Sequence, residues 1–471
     1  MELLMIALSL MLLIVFAYRG FSIIILAPLF AMLAASVGSM AIMPVYGELY
    51  MTKAAEFIKL YYPVFLLGAV FARLMEQSGM VGSLANMIAK KLGKERAILA
   101  VLLGGGLMTY GGINVFVGVF VLYPVAAFLF RAADIPKRLM PATLWMGIFS
   151  YAMVAFPGTP QIQNIVPSVF FGTSTWAAPI DSIISGLAFF FIAWGWLTYR
   201  YKTLAAKGEG YGNHTLNEPD PIDESKLPSW KISLIPFVII LGLNLFLSNP
   251  FGWSWAYHWQ SALLEPLKAL KLPLLSTSVD KTQALWSLEI ALAVASVAAL
   301  ILGRKRLKEQ GFAKQLNAGA HSSLAAVMNT ASVFAFGSVI TSLGSFQIVK
   351  EGLLNLHIGS GPLISEVITT NVMIVLSGSA SGGMTIALGL LGHDWLAWAN
   401  SIGMSPEILH RVVCLASSGL DTLPHNGALL TLMGVCGLAY KEAYGDIAVL
   451  TGLKVLVAFA IVAWYSVTGI V

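Results

Sequence analysis

Eight apolar runs of membrane-spanning length, at residues 2–18, 21–43, 57–75, 176–198, 231–248, 284–302, 319–342 and 447–468, restrict this chain more than any other feature. In hydrocarbon every backbone N–H and C=O must find its partner inside the protein, so apolar runs of about 20 residues read as helices. Charge agrees: 11% of the 471 residues are Asp, Glu, Lys or Arg and 58% are hydrophobic. A soluble chain carries roughly a quarter of charged residues, enough to cover its surface. This chain is therefore a polytopic, all-α membrane protein. The first run has no basic leader and no small-residue cleavage site, which predicts a retained helix. Cys414 and Cys436 lie in or beside apolar runs and read as small buried hydrophobes, not as a redox pair.

Four further apolar stretches are interrupted. Residues 97–130 hold a polar, glycine-rich break at Tyr110–Asn114, and residues 362–392 hold one at Ser377–Gly383. The arm 97–110 spans only about 21 Å at 1.5 Å per residue, short of a ~30 Å hydrocarbon core. Each stretch is expected to be a re-entrant hairpin with its tip near the midplane. Each is followed by a broken helix: 138–170, interrupted at Pro157–Asn164, and 406–438, interrupted at Ser418–Gly427. The order helix, helix, helix, amphipathic piece, hairpin, broken helix, helix occurs twice, in 1–199 and 231–471. Between them lies a polar linker, 200–230, punctuated by Gly208, Gly210, Asn213, Pro219, Pro221 and Pro228. The expectation is about ten transmembrane helices, two of them broken, plus two re-entrant hairpins.

Basic residues orient this scheme. With both termini outside and each hairpin returning to its own side, twenty of the 28 Lys and Arg residues fall inside. Seven, including Lys350 and Arg411, fall outside, and Lys454 lies within the last helix. That is a positive-inside distribution, and it makes the two repeats inverted, with hairpin one entering from the cytoplasm and hairpin two from outside.

Broken backbone survives in a membrane only where protein or a wet cavity satisfies it. Half-helix N-termini offer unpaired N–H groups to a carboxylate, and half-helix C-termini offer carbonyls to a cation or proton-bearing group. The expected substrate-binding set is Gly111, Gly112, Asn114, Thr159, Gln161, Gln163, Asn164, Ser379, Ser381, Gly382, Gly383, Thr422 and Asn426. For the amides the alternative is helix capping. Asp421 and His425 are the expected coupling pair, since an intramembrane Asp is costly and His titrates near physiological pH. A salt bridge bracing the loop is the alternative for Asp421. Lys454 can snorkel and Asn329 can bridge helices, while His321 and Glu366 also sit in or near apolar stretches with no assigned role. No metal-ligand spacing and no nucleotide loop occur, so the expected partners are a small anion and the bilayer, without cofactor, nucleic acid or nucleotide. A channel and a membrane-embedded enzyme are the rival classes.

The motifs Gly111-Gly112-Ile113-Asn114-Val115-Phe116, Leu122-Tyr123-Pro124, Asp134-Ile135-Pro136-Lys137-Arg138, Pro157–Asn164 (PGTPQIQN) and Gly419–Ala428 (GLDTLPHNGA) resemble the gluconate permease (GntP) family of the ion transporter superfamily. The resemblance implies a scaffold domain that dimerises, a mobile transport domain carrying the hairpins, and proton-linked uptake of organic acids in a bacterial-type inner membrane. The PGTPQIQN and LDTLPHNG forms are similar to the branch taking short hydroxycarboxylates such as 3-hydroxybutyrate. Gluconate is the alternative substrate, and sodium the alternative coupling ion.

Overall fold

The computed structural model describes residues 2–19, 21–36, 40–219, 227–272, 278–279, 282–356, 361–424 and 426–471, and contains helices but no strand among them. The first half begins with α1 (Glu2–Tyr18), α2 (Ile23–Ala35) and α3, which runs unbroken over Ile42–Gln77. Here the structure departs from the expected runs. The apolar stretch 21–43 is divided, and residues 42–56 belong to the third helix. Glu48, Lys53 and Glu56 conceal that extension in the sequence. Lys53 Nζ pairs with Glu56 Oε2 at 2.8 Å one turn along, so the charges are held on the helix.

After the amphipathic α4 (Met80–Leu92) come α5 (Ala97–Tyr110) and α6 (Val115–Ala132), the two arms of the first hairpin. Its tip turns through Gly112, at φ +83°. The first broken helix consists of α7 (Met140–Ile148), a π turn at Tyr151–Ala155, and α8 (Ile162–Phe171). Ile162, Gln163 and Asn164, expected within the break, instead form the first turn of α8. The glycine run 104–106 serves packing: a Cβ on Gly105 would lie 2.7 Å from the Gly147 carbonyl carbon of α7, so only glycine lets the hairpin seat against the broken helix.

A long helix, α9 (Pro179–Ala205), closes this half and carries the chain past residue 200 before the polar linker begins. The second half has the same order. α10 (Trp230–Ser248), α11 (Gln283–Glu309) and α12 (Phe312–Ser342) precede the short α13 (Phe346–Leu354). The second hairpin is α14 (Leu363–Ser377) and α15 (Ala380–Ser401), the second broken helix α16 (Pro406–Ser417) and α17 (Gly427–Cys436), and the last helix α18 (Tyr440–Thr468). The break in hairpin two is shorter than expected: only Gly378 and Ser379 lie outside helix, and Ser381–Gly383 open α15.

Among the described residues, six helices are long and apolar enough to cross a membrane on length and composition: α3, α9, α10, α11, α12 and α18. Their outward faces are apolar, with Ile183, Val238, Val297, Leu324 and Leu456 among the exposed large side chains. In water such a surface would be a liability, whereas in lipid it is the required exterior. Both cysteines are buried and unpaired. Arg411, counted among the outer-side basic residues in the sequence, is fully buried in α16. It donates from Nη1 to the Val154 carbonyl at 2.8 Å and from Nη2 to the Ala177 carbonyl at 3.0 Å.

Candidate functional site

Four helices begin at one place. The N-terminal ends of α6 (Asn114, Val115), α8 (Gln161–Gln163), α15 (Ser379–Gly382) and α17 (Asn426–Ala428) all line a single cavity of about 400 Å³. Each helix start carries N–H groups with no intrahelical acceptor and the positive end of a dipole. Two of these starts are capped from within. The Ser379 hydroxyl accepts from Gly382 N at 3.2 Å, and Asn426 Oδ1 accepts from Ala428 N at 2.8 Å and Leu429 N at 3.2 Å. Opposite the tips, α2, α3 and α12 contribute Ile23, Phe65, Asn329 and Thr330. Trp145 and Phe149 of α7, stacked with centroids 4.3 Å apart, form an apolar wall.

The hairpin tips are tied to the adjacent breaks. In the first half the Tyr110 hydroxyl donates to the Pro157 carbonyl at 2.7 Å, and Gln161 Nε2 donates to the carbonyls of Thr109 (2.7 Å) and Ile113 (3.2 Å). In the second half Asn371 Oδ1 accepts from Leu420 N at 3.1 Å. Hairpin and broken helix are thus joined as one unit in each half.

Of the residues singled out in the sequence, Asn114, Gln161, Gln163, Ser379, Ser381, Gly382, Asp421 and Asn426 line the cavity. Others do not. Gly111 is buried at the end of α5, where a Cβ would strike the Phe237 ring, and Gly112 is the tip turn. Gly383 abuts the backbone of Ile374 on the opposite arm. Thr159 is buried beneath the break, and Thr422 meets the Thr451 hydroxyl of α18. Asn164 is fully buried and spent on the fold: Nδ2 donates to the carbonyls of Thr159 (2.9 Å) and Thr175 (2.8 Å), and Oδ1 lies 3.1 Å from His410 Nε2. With the amide so oriented, His410 carries its proton on Nε2, and its Nδ1 accepts from the Thr173 hydroxyl at 2.6 Å. His425 lies outside the described residues.

Asp421 is partnered by Lys454, the lysine within the last helix. Lys454 does not snorkel; its Nζ lies 2.6 Å from Asp421 Oδ1, and both side chains are 1% exposed. Asp421 Oδ2 is buried without a hydrogen-bond partner among the described residues.

No family model matches the chain. Over 482 aligned residues, covering all of both chains, it is 37% identical to the uncharacterized transporter YxjC of Bacillus subtilis. The chain belongs to that transporter family. A further relative is an uncharacterized transporter of Haemophilus influenzae, 30% identical over 185 residues, 38% of this chain and 41% of that one. Two solved structures share the fold. The YdaH transporter of Alcanivorax borkumensis superimposes with a TM-score of 0.60 at 16% identity, over 89% of this chain and 88% of that one. MtrF of Neisseria gonorrhoeae, described as illuminating a class of antimetabolite efflux pumps, superimposes at 0.62 with 12% identity over 93% of each. The protein is a multi-pass membrane transporter of the YxjC family.

Sequence reasoning missed several members of this site. Asn329 and Thr330 break the apolar pattern of α12, which was the available signal for a wall of the cavity. Trp145 and Phe149 carried none, because an aromatic pair four residues apart reads as ordinary core.

Proposed function

We propose that the protein is a secondary active transporter importing a small organic monocarboxylate, a hydroxy acid such as 3-hydroxybutyrate, by proton symport with an elevator-type movement. The observation that carries this reading is the meeting of four helix N-termini, two from each half, on one cavity of about 400 Å³. Unpaired N–H groups and dipole ends favour a carboxylate without a fixed cation that would hold it too tightly to release. Gln163 and Ser381 supply neutral hydrogen-bonding groups for a hydroxyl, and the Trp145–Phe149 wall suits a short aliphatic chain. The volume sits near the lower end of the range for small-molecule sites, which favours a short acid over gluconate. The GntP-like motifs support the same substrate class.

The elevator reading rests on the cavity's position. On one side are α2, α3 and α12, the scaffold in this proposal, with dimerisation through it. On the other are the hairpins and broken helices, joined by Tyr110, Gln161 and Asn371. The two halves, 1–199 and 231–471, act as inverted repeats in the inner membrane, with both termini outside. Asp421 is better suited to hold the second break than to carry the proton, since protonating it would leave Lys454 as a buried unpaired cation.

The test is radiolabelled 3-hydroxybutyrate counterflow in proteoliposomes, followed by uptake under an imposed pH gradient and then a sodium gradient at clamped pH. Saturable counterflow with accumulation driven by the pH gradient supports the proposal. Linear, non-saturating flux would indicate a channel, chemically altered substrate an enzyme, and accumulation following sodium alone a sodium-coupled carrier. Competition by gluconate but not by short acids would move the substrate to sugar acids.

A further inference from the structure

Glu366 lies in the first turn of α14, is 0% exposed, and has no hydrogen-bond partner on either carboxylate oxygen among the described residues. Glu407, Asp394 and Asp446, on helices packed around it, are each engaged elsewhere. On α16, Glu407 accepts from Ala178 N at 3.0 Å. The basic side chains there are committed as well: Arg411 to the carbonyls of Val154 and Ala177, and the neutral His410 to Thr173 and Asn164. Cys414 donates to the Gln163 carbonyl at 3.0 Å. On α15 and α13, Asp394 and Lys350 pair with each other at 2.6 Å, leaving His393 and the exposed Glu351 as the remaining titratable groups. On α18, Lys454 serves Asp421, and Asp446 pairs with Arg200 of α9 at 2.6 Å. The titratable residues of α1 are Glu2 and Tyr18, at its two ends. No cation forms an ion pair with Glu366 among the described residues.

An isolated carboxylate in such a place is too costly to persist, and the group takes up a proton instead. Thr369 and Thr370, three and four residues along and so on the same face of α14, are also buried with hydroxyls that find no partner among the described residues. A carboxyl and two hydroxyls without hydrogen-bond partners among the described residues thus form a polar patch on one helix face. We propose that Glu366, as a neutral acid, holds the coupling proton in this conformation, and that Thr369 and Thr370 are the first groups to hydrate when the patch opens. The exchange is one proton: the carboxylate takes H⁺ from water on one side and returns it to water on the other. From Glu366 to Ser377 at the tip the helix rises about 16 Å. The proton and the substrate therefore occupy separate sites on one rigid hairpin arm, and they are coupled by its movement without touching. This assignment rests on the proton-symport reading above.

Infrared spectroscopy of the protein in lipid tests the protonation directly. Both Asp181 oxygens are likewise buried without a hydrogen-bond partner among the described residues, so the comparison is made in an Asp181→Asn background. A buried carboxylic-acid C=O stretch should be present there, be lost on adding Glu366→Gln and remain on adding Asp421→Asn. In proteoliposomes Glu366→Gln should keep substrate affinity and exchange within about two-fold, while accumulation under a pH gradient and protons moved per substrate fall at least ten-fold. Glu366→Asp, which keeps a titratable group, should restore proton movement with a shifted pH profile, and it serves if the Gln variant folds poorly. Absence of the acid band in the Asp181→Asn background, or undiminished proton-driven accumulation in Glu366→Gln, overturns the assignment. A band present in that background, together with wild-type accumulation that needs no pH gradient, overturns the proton-symport reading, and the coupling role of Glu366 with it.

Discussion

Lys454 Nζ sits 2.6 Å from Asp421 Oδ1, joining the last helix to the second broken helix by an ion pair that is almost wholly buried. The same ammonium lies 5.9 Å from the centroid of Trp145, in the wall of the cavity. A buried pair costs much in desolvation, and removing one member strands the other. Asp421→Asn should therefore destabilise the protein by about 3–5 kcal/mol, and adding Lys454→Gln should recover most of that loss. Denaturant titration of the purified variants reads both. A single Asn substitution without cost would mean that the pair is not ionised.

Gln163 and Asn164 are neighbours with different tasks. Gln163→Ala and Ser381→Ala should each weaken substrate binding by about 1.5–3 kcal/mol, roughly ten- to a hundred-fold, with little effect on melting temperature. Asn164→Ala should do the reverse, removing the partners of the Thr159 carbonyl and His410 Nε2 and one of two donors to the Thr175 carbonyl, and lowering the melting temperature while affinity of the folded protein holds. Isothermal binding alongside thermal unfolding separates them. Equal affinity losses in all three would return Asn164 to the site.

Hairpin two requires glycine at one position, while the broken helix beside it does not at another. A Cβ at Gly383 would lie 2.5 Å from the backbone N of Ile374, whereas one at Gly427 meets nothing within 4 Å. Gly383→Ala should splay the hairpin arms, lower the yield of monodisperse protein and abolish transport. Gly427→Ala should fold as the wild type does. Size-exclusion profiles of the pair decide it.

These contrasts mark where sequence stops being informative. The interruptions at Tyr110–Asn114 and Ser418–Gly427 were legible because glycine and amides weaken an apolar helix in lipid and are tolerated where the helix stops. The partner of Lys454 was not: snorkelling and pairing make the same demand on sequence, and Asp421 lies 33 residues away. Asn164 opening α8 reads equally as ligand, cap or brace, and the contact that decides, His410, is 246 residues distant. The start of α3 was obscured because Lys53 and Glu56 neutralise each other on the helix, which a count of charges does not register. From sequence Glu366 reads as any acid near a helix start; that neither oxygen has a hydrogen-bond partner among the described residues is a three-dimensional fact.

The linker gives a pH-dependent prediction outside the membrane. Glu218 lies 2.7 Å from Lys137 Nζ, contacts Arg131, and accepts from the Tyr211 hydroxyl at 3.0 Å. Burial alone would raise its carboxyl, but Lys137, Tyr211 and Arg131 outweigh it and hold Glu218 below the ordinary glutamate range. A carboxyl so lowered adds stability that is complete above its unfolded value and is lost as pH falls through the folded one. The wild type should thus exceed Glu218→Gln in melting temperature at neutral pH, and the gap should close on acidification below the ordinary glutamate range. A gap independent of pH would mean that packing, not charge, docks the linker.

Topology is the most exposed part of the scheme, and the structure chooses the positions that test it. Lys137 is buried and would not label, whereas Lys94 and Ala132, flanking hairpin one, are exposed, as are Asn355 and Ser401 around hairpin two. Both native cysteines are buried, so single cysteines introduced at these four positions report cleanly. The 14 residues of α5 rise about 21 Å, too little to cross a ~30 Å core, so both ends of hairpin one should open to one side. Cysteines at Lys94 and Ala132 should react with an impermeant maleimide only from the cytoplasm. Those at Asn355 and Ser401 should react only from outside, because an inverted second half places its hairpin in the opposite sense. Labelling of Lys94 and Ala132 from opposite faces would make the first hairpin a full crossing. The basic clusters at Arg200 and Arg304 would then stand outside, and the positive-inside distribution and the proposed inversion of the two halves would be lost together.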